Sequence, residues 1–244
     1  MPTLPSEARD HRLPSVLVTG FSVFPGAPAN PTETLIPLIE AERDRYGHLC
    51  RQIKCEVLPV QYEGLSDRLA RLSAPQGSQV DGVPDIAIHF GLGSPRGVTL
   101  ETVARNETRP SPDVTGALPP RPFVVEGGPD TLPSTLPLRV MAERLQRAGL
   151  EVRFSEDAGG YLCNYLFYVS SSRSATATLG LDTRPKMSGF IHVPPLRTEQ
   201  PSDVPYAMSV DELLLCSRVV IETCCECYIK GKAVMQPNDG NTGA

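Results

Sequence analysis

The chemistry of this chain is concentrated in the run Glu156-Asp157-Ala158-Gly159-Gly160-Tyr161-Leu162-Cys163-Asn164-Tyr165-Leu166-Phe167-Tyr168. A turn of small residues delivers Cys163 into an apolar pattern with helical spacing at 161, 162, 165, 166 and 169. Cys163 is therefore expected in the first turn of a helix, where unpaired backbone N–H groups and the positive end of the helix dipole favour anions. Such surroundings favour the thiolate, the nucleophilic form of cysteine. The same N–H groups suit the oxyanion that forms when sulfur attacks a carbonyl. The plain alternative is a buried thiol acting as a small hydrophobe.

A cysteine nucleophile needs a base and a group to orient it. Of the four histidines, His11 lies in a polar N-terminal arm and His48 in a helix-end loop. His89 and His192 each close an apolar strand, 85–90 and 188–193, and ligands of open α/β sheets bind beyond such strand ends. Cys163 follows a strand at 150–155, so all three residues are expected at one sheet edge. Among many carboxylates, Glu101 stands inside the strand-like run 98–104, where an inward carboxylate needs a partner and an outward one is solvated.

Other patterns carry less. The glycines of 91–97 have the wrong spacing for a dinucleotide loop, and no G-x-S-x-G elbow is present. Cys224 and Cys227 form a lone C-x-x-C without the further ligands of a zinc site, and with Cys216 they share a helix face with Leu213, Val220 and Tyr228. That face is expected to pack in the core. The Asn106-Glu107-Thr108 sequon has meaning only in a secreted protein.

The elements that must position these residues alternate along the chain. Strands are expected at 15–20, 53–60, 85–90, 98–105, 150–155 and 188–193, with helices at 31–46, 62–72, 136–148, 161–171 and 209–228. Asn30-Pro31-Thr32-Glu33 and Ser209-Val210-Asp211-Glu212 read as helix starts. The proline-rich run 107–137 is expected to be irregular, with a short extended piece at 122–126. This pattern points to an α/β class with a mostly parallel twisted sheet. The expected organisation is a flexible arm at 1–14, one catalytic domain at 15–229 and a disordered tail at 230–244.

Composition narrows the function classes. The chain has 244 residues, 40% hydrophobic and 21% charged, with a net charge of −5. No basic footprint for nucleic acid is present, and no apolar run has membrane-spanning length. Seven cysteines without a disulfide-framework spacing, and no secretion signal, make a cytoplasmic location the expectation.

Four ordered blocks resemble the pyroglutamyl peptidase I (pyrrolidone carboxyl peptidase) family of cysteine peptidases. They are 18–26 (VTGFSVFPG) with Asn30-Pro31-Thr32, 100–106 (LETVARN), 158–164 (AGGYLCN) with Phe167-Tyr168, and 189–194 (GFIHVP), together spanning about residues 15–200. The resemblance implies a single-domain α/β/α sandwich that hydrolyses the amide bond after an N-terminal pyroglutamyl (5-oxoproline) residue, without metal or cofactor. It implies Cys163 as nucleophile, His192 as general base and acid, and Glu101 as the group orienting His192. Phe21 and Phe24 would sandwich the lactam ring, Tyr161 and Leu162 would contribute to the substrate site, and Arg109 would assist at the oxyanion. Partners would be N-terminally pyroglutamylated peptides, and a homo-oligomer is compatible with the family. Leu92 departs from the pattern, standing where bacterial members often carry glutamine. Two other readings share these residues: a thiol amidohydrolase of the same fold acting on another small lactam or acyl amide, and an inactive pyroglutamyl-binding homologue.

Overall fold

The computed structural model describes residues 13–24, 29–73, 83–172, 185–197 and 206–235. The strands are β1 (Ser15–Phe21), β2 (Gln52–Leu58), β3 (Ile86–Leu92), β4 (Val98–Glu101), β5 (Val103–Arg105), β6 (Thr131–Pro133), β7 (Val152–Ser155) and β8 (Met187–Val193). The helices are α1 (Pro31–Ala41), α2 (Leu65–Ser73), α3 (Leu138–Arg147), α4 (Leu162–Ser171) and α5 (Val210–Met235), with a short 3-10 turn at Arg43–Tyr46.

Six strands form one sheet in the order β2-β1-β3-β8-β4-β7, and β5 pairs with β6 in a separate two-stranded ribbon. The strands β2, β1, β3 and β8 are mutually parallel. Every residue of β1 is buried, the mark of a strand covered on both faces. Alternate residues serve opposite cores. Val16, Val18, Ile86, Ile88, Ile191 and Val193 pack with residues of α1, α3 and α5 on one side. Leu17, Phe21 and Phe190 pack with residues of α2 and α4 on the other. The outcome is the expected three-layer α/β/α sandwich with a mostly parallel sheet.

One pair departs from parallel order. β4 runs antiparallel to β8, pairing Thr99 with His192 and Glu101 with Phe190, and β7 runs parallel to β4. The strand that precedes Cys163 therefore points opposite to the strand that ends near His192. Cys163 reaches the site through the loop 156–161 rather than by a shared strand direction.

Local departures also have causes. The run expected as one strand over 98–105 breaks at Thr102, whose N–H and hydroxyl both bond the Ser155 carbonyl, at 2.7 and 2.8 Å. The extended piece expected at 122–126 is not a strand, because the N–H groups of Val124 and Val125 are taken by Asn106 Oδ1 at 3.0 and 2.9 Å. The ribbon strand instead lies at Thr131–Pro133. The final helix continues past Tyr228 to Met235, so the first residues of the expected tail are helical. The helix starts are formed as read. Asn30 Oδ1 accepts the Thr32 N–H at 3.1 Å, and Ser209 and Glu212 exchange reciprocal capping bonds of 3.1 and 2.7 Å. Among the described residues no helix is long and apolar enough to cross a membrane.

Candidate active site

The face of the sheet under α4 carries the chemistry. Strand alternation puts Ala87, His89 and Gly91 of β3, Ser188, Phe190 and His192 of β8, and Thr99 and Glu101 of β4 on this face. His192 Nδ1 and Glu101 Oε1 lie 2.8 Å apart, with Glu101 2% and His192 9% exposed. Because Nδ1 is engaged by the carboxylate, Nε2 is the nitrogen left for the sulfur of Cys163. Phe190 supports the imidazole from one side, with ring centroids 4.8 Å apart.

The His192 pKa follows from this packing. Burial disfavours the imidazolium, but the hydrogen bond and charge of Cys163, then those of Glu101, outweigh it and raise the pKa to about 9. A group held in this way carries a proton that it can give to a leaving amine.

Cys163 is the second residue of α4, as the apolar spacing requires. The N-cap, Tyr161, is extended and makes no side-chain cap bond, so no capping side chain occupies the first-turn amides. Space for the sulfur and the imidazole is left by glycines. A Cβ at Gly91 would lie 3.0 Å from Cys163 Sγ and 2.7 Å from the Phe190 ring, and one at Gly93 would lie 2.7 Å from His192 Cβ. Asn164 ties the helix to the segment following Glu101. It accepts the Arg105 N–H at 2.8 Å and donates to the carbonyls of Arg105 and Glu107 at 2.8 and 2.9 Å.

A pocket of about 200 Å³ opens on this cluster. Cys163 and His192 line it together with Phe21, Phe24, Tyr161 and Leu162. Val60, Leu92, Ala158 and Asn30 complete the lining. Phe21 is not a loop residue as the glycine and proline neighbours suggest. It ends β1, and its N–H and carbonyl are both bonded to Thr32 Oγ1, at 2.8 and 2.9 Å.

Arg109 does not line the pocket. Its N–H donates to the Gly160 carbonyl at 2.7 Å, while its exposed guanidinium pairs with Asp157 at 3.0 Å and Glu107 at 3.5 Å. Those acidic neighbours hold the guanidinium at the surface, outside the turn before Cys163 and apart from the pocket lining. His89 is likewise separated from the chemistry. It is fully buried within β3, bonded through Nδ1 to Thr19 Oγ1 at 2.7 Å, and burial lowers its pKa to about 3. Sequence reasoning did not assign roles to Phe190, Asn164 or Val60. Phe190 and Asn164 stand inside the quoted histidine and cysteine blocks, which was the available signal; Val60 had none.

Comparison with known proteins identifies the family. A family model described as pyroglutamyl peptidase matches residues 14–227. The chain belongs to the pyroglutamyl peptidase family. It is 35% identical over 219 residues to the pyrrolidone-carboxylate peptidase of Pyrococcus furiosus, covering 86% of this chain and 98% of that protein. It is 34% identical over 215 residues to the pyrrolidone-carboxylate peptidase of Clavibacter michiganensis subsp. michiganensis, covering 86% and 92%. The fold is similar to the crystal structure of pyrrolidone carboxyl peptidase from Thermus thermophilus, with a TM-score of 0.68 at 32% identity, covering 85% of this chain and 99% of that one. A Pyrococcus furiosus pyrrolidone carboxyl peptidase structure gives a TM-score of 0.70 at 31% identity, covering 88% and 99%. As a member of the pyroglutamyl peptidase family, the chain is a hydrolase of the cysteine peptidase class. Among the described residues, no group of three or more His, Cys, Asp and Glu side chains is arranged to hold a metal ion.

Proposed function

We propose that this chain is an omega peptidase that hydrolyses the amide bond after an N-terminal pyroglutamyl residue, with Cys163, His192 and Glu101 as its catalytic groups. The observation that carries the reading is the 2.8 Å pairing of His192 with Glu101 at a pocket that also holds the Cys163 sulfur.

The pocket chemistry selects the substrate. Its volume of about 200 Å³ is below the ~300 Å³ at which drug-sized sites begin, and suits one small ring. Its described lining carries no carboxylate, so a free α-ammonium group finds no counter-charge there. A 5-oxoproline residue has no such group, only a flat lactam with one N–H and one C=O. The Phe21 and Phe24 side chains supply contact area for the ring. The Asn30 side chain is already engaged, by Thr32 at 3.1 Å and by the Ser22 carbonyl at 3.0 Å. One Asn30 amide hydrogen remains for the lactam, and the other directional bonds fall to backbone groups.

In the reaction, the Cys163 thiolate attacks the pyroglutamyl carbonyl carbon, and the displaced electron pair forms an oxyanion beside the first-turn amides of α4. The oxyanion collapses, the C–N bond breaks, and the His192 imidazolium gives its proton to the departing amine. Neutral His192 then takes a proton from water as the water attacks the thioester. Collapse of this second intermediate releases pyroglutamate and restores the thiolate–imidazolium pair. Glu101 holds the ring in one orientation throughout and fixes its tautomer while it is neutral.

The test is a panel of aminocoumarin amides of pyroglutamate, proline and glutamate. The pyroglutamyl amide is expected to be cleaved and the other two refused, and Cys163→Ala is expected to abolish cleavage while leaving thermal unfolding intact. Cleavage by the alanine variant would remove Cys163 from the mechanism. Turnover of a different amide alone would move the activity to another lactam or acyl group.

A further inference from the structure

Arg153 is the one half-buried arginine among the described residues whose side chain is held only by hydroxyls. Arg51, Arg68, Arg144 and Arg218 are each paired with a carboxylate, namely Asp85, Glu56, Glu226 and Glu42, and Arg105 donates to the Glu156 carbonyl. The Arg153 guanidinium instead donates from Nε to Thr99 Oγ1 at 2.8 Å and from Nη2 to Ser94 Oγ at 2.7 Å. Nη1 has no protein acceptor among the described residues.

Its place in the fold gives that cation a use. Thr99 is paired with His192 on one side and with Arg153 on the other, so the three form a row across β8, β4 and β7 on the face under α4. Two strand spacings put the Arg153 backbone roughly 10 Å from that of His192. The side chain spans part of that gap, because it crosses Thr99 to reach Ser94. Ser94 follows Gly93, the residue that packs against His192 Cβ. The guanidinium is thus drawn toward the imidazole instead of out over the sheet edge.

The direction of the reaction points the same way. The ring pocket of Phe21 and Phe24 takes the pyroglutamyl side of the scissile bond, and His192 gives its proton to the amine on the other side. The released residue therefore lies on the His192 side of the pocket, the side toward which Thr99 and Ser94 draw the Arg153 guanidinium. We propose that Arg153 is a specificity residue that binds a carboxylate on the residue being released. The inference rests on the peptidase reading above. Its chemistry is a guanidinium meeting a carboxylate, supplied either by the α-carboxylate of a pyroglutamyl dipeptide or by an acidic side chain following pyroglutamate.

Two substrate pairs distinguish these sources: pyroglutamyl-alanine against its amide, and pyroglutamyl-glutamic acid α-amide against its glutamine counterpart. In at least one pair the wild-type enzyme is expected to favour the carboxylate by about tenfold in kcat/KM, mainly through KM. The preference should fall close to one in Arg153→Gln, survive in part in Arg153→Lys, and shrink as ionic strength rises. Ser94→Ala, which removes one anchor of the guanidinium, should reduce the same ratio and provides a second variant should Arg153→Gln fold poorly. Ratios near one in the wild type, or a preference unchanged in Arg153→Gln and Ser94→Ala, overturn the proposal while leaving the peptidase reading in place. Failure of the wild type to cleave any of the four substrates defeats that reading, and the carboxylate subsite with it.

Discussion

Asn164 grips Arg105 by both its backbone groups, accepting the N–H and donating to the carbonyl, each at 2.8 Å. Because Asn164 follows Cys163 and Arg105 lies on β5, four positions after Glu101, this amide ties the helix of Cys163 to the segment that follows the strand of Glu101. Replacing Asn164 with Ala leaves three buried or half-buried backbone groups without partners. The expected loss is about 1–3 kcal/mol of stability, read from the urea midpoint. A fall in kcat beyond any loss of folded enzyme should accompany it.

Glu101→Gln keeps the size of the side chain but removes the charge behind the imidazole. A fall of up to ~10⁴-fold in kcat is expected, by analogy with the acid-to-amide change in a serine-protease triad. The His192 pKa of about 9 is raised above its ordinary 6.5. The stability it contributes is therefore fully present below pH 6.5 and lost as pH rises through 9. In the wild type, activity should decline on the alkaline side near pH 9, and in Glu101→Gln that limb should move toward neutrality. A pH profile of kcat/KM for both proteins checks this, and an unmoved limb would contradict the role given to Glu101.

His89 has the opposite sign. Its pKa is lowered from 6.5 to about 3, so the unfolded chain takes up a proton that the folded chain refuses. Stability should fall as pH drops below 6.5, by at most about 1.4 kcal/mol per pH unit from this group. His89→Gln, which can still bond Thr19, should flatten that acid slope without abolishing peptidase activity. Equilibrium unfolding at several pH values decides it.

Gly91→Ala and Gly93→Ala test the close approaches around the sulfur and the imidazole. The added carbons would sit 2.7 Å from the Phe190 ring and 2.7 Å from His192 Cβ, respectively. The first demands movement of the ring that supports the imidazole, and the second movement of His192 itself. A loss of at least ~10² in kcat is expected for Gly93→Ala, since sub-ångström displacement of a catalytic group is costly. Circular dichroism and single-substrate kinetics measured together separate this from misfolding.

Much of the fold was legible because burial writes itself into the order of residues. The mostly apolar runs of β1, β3 and β8 and the helical spacing around Cys163 needed no tertiary information. The direction of β4 did not show, since alternation is the same for a strand running up or down. Nor did the break at Thr102, which depends on a carbonyl supplied by Ser155, 53 positions away. The same limit governs the site. By strand position alone His89 and His192 look equivalent; the GFIHVP block singles out His192, and Glu101 lies beside that histidine and not beside His89. The resemblance implies an oxyanion role for Arg109, but it says nothing of the ion pairs the guanidinium makes with Glu107, two positions away, and with Asp157, brought near by the turn at 156–160. Arg153 drew no notice, since its significance comes from a row across three strands that are far apart in the chain.

The reversal of β4 has a consequence for how this enzyme can diversify. Glu101 stands one pleat beneath the imidazole, opposite Phe190, so it is insulated from whatever peptide arrives above. The short connection from β3 to β4 is left at the rim, joined to Glu101 only through a few residues of strand. Insertions or exchanges at 94–96 can therefore redraw what the enzyme accepts downstream of the cut, while the proton-handling machinery below keeps its alignment.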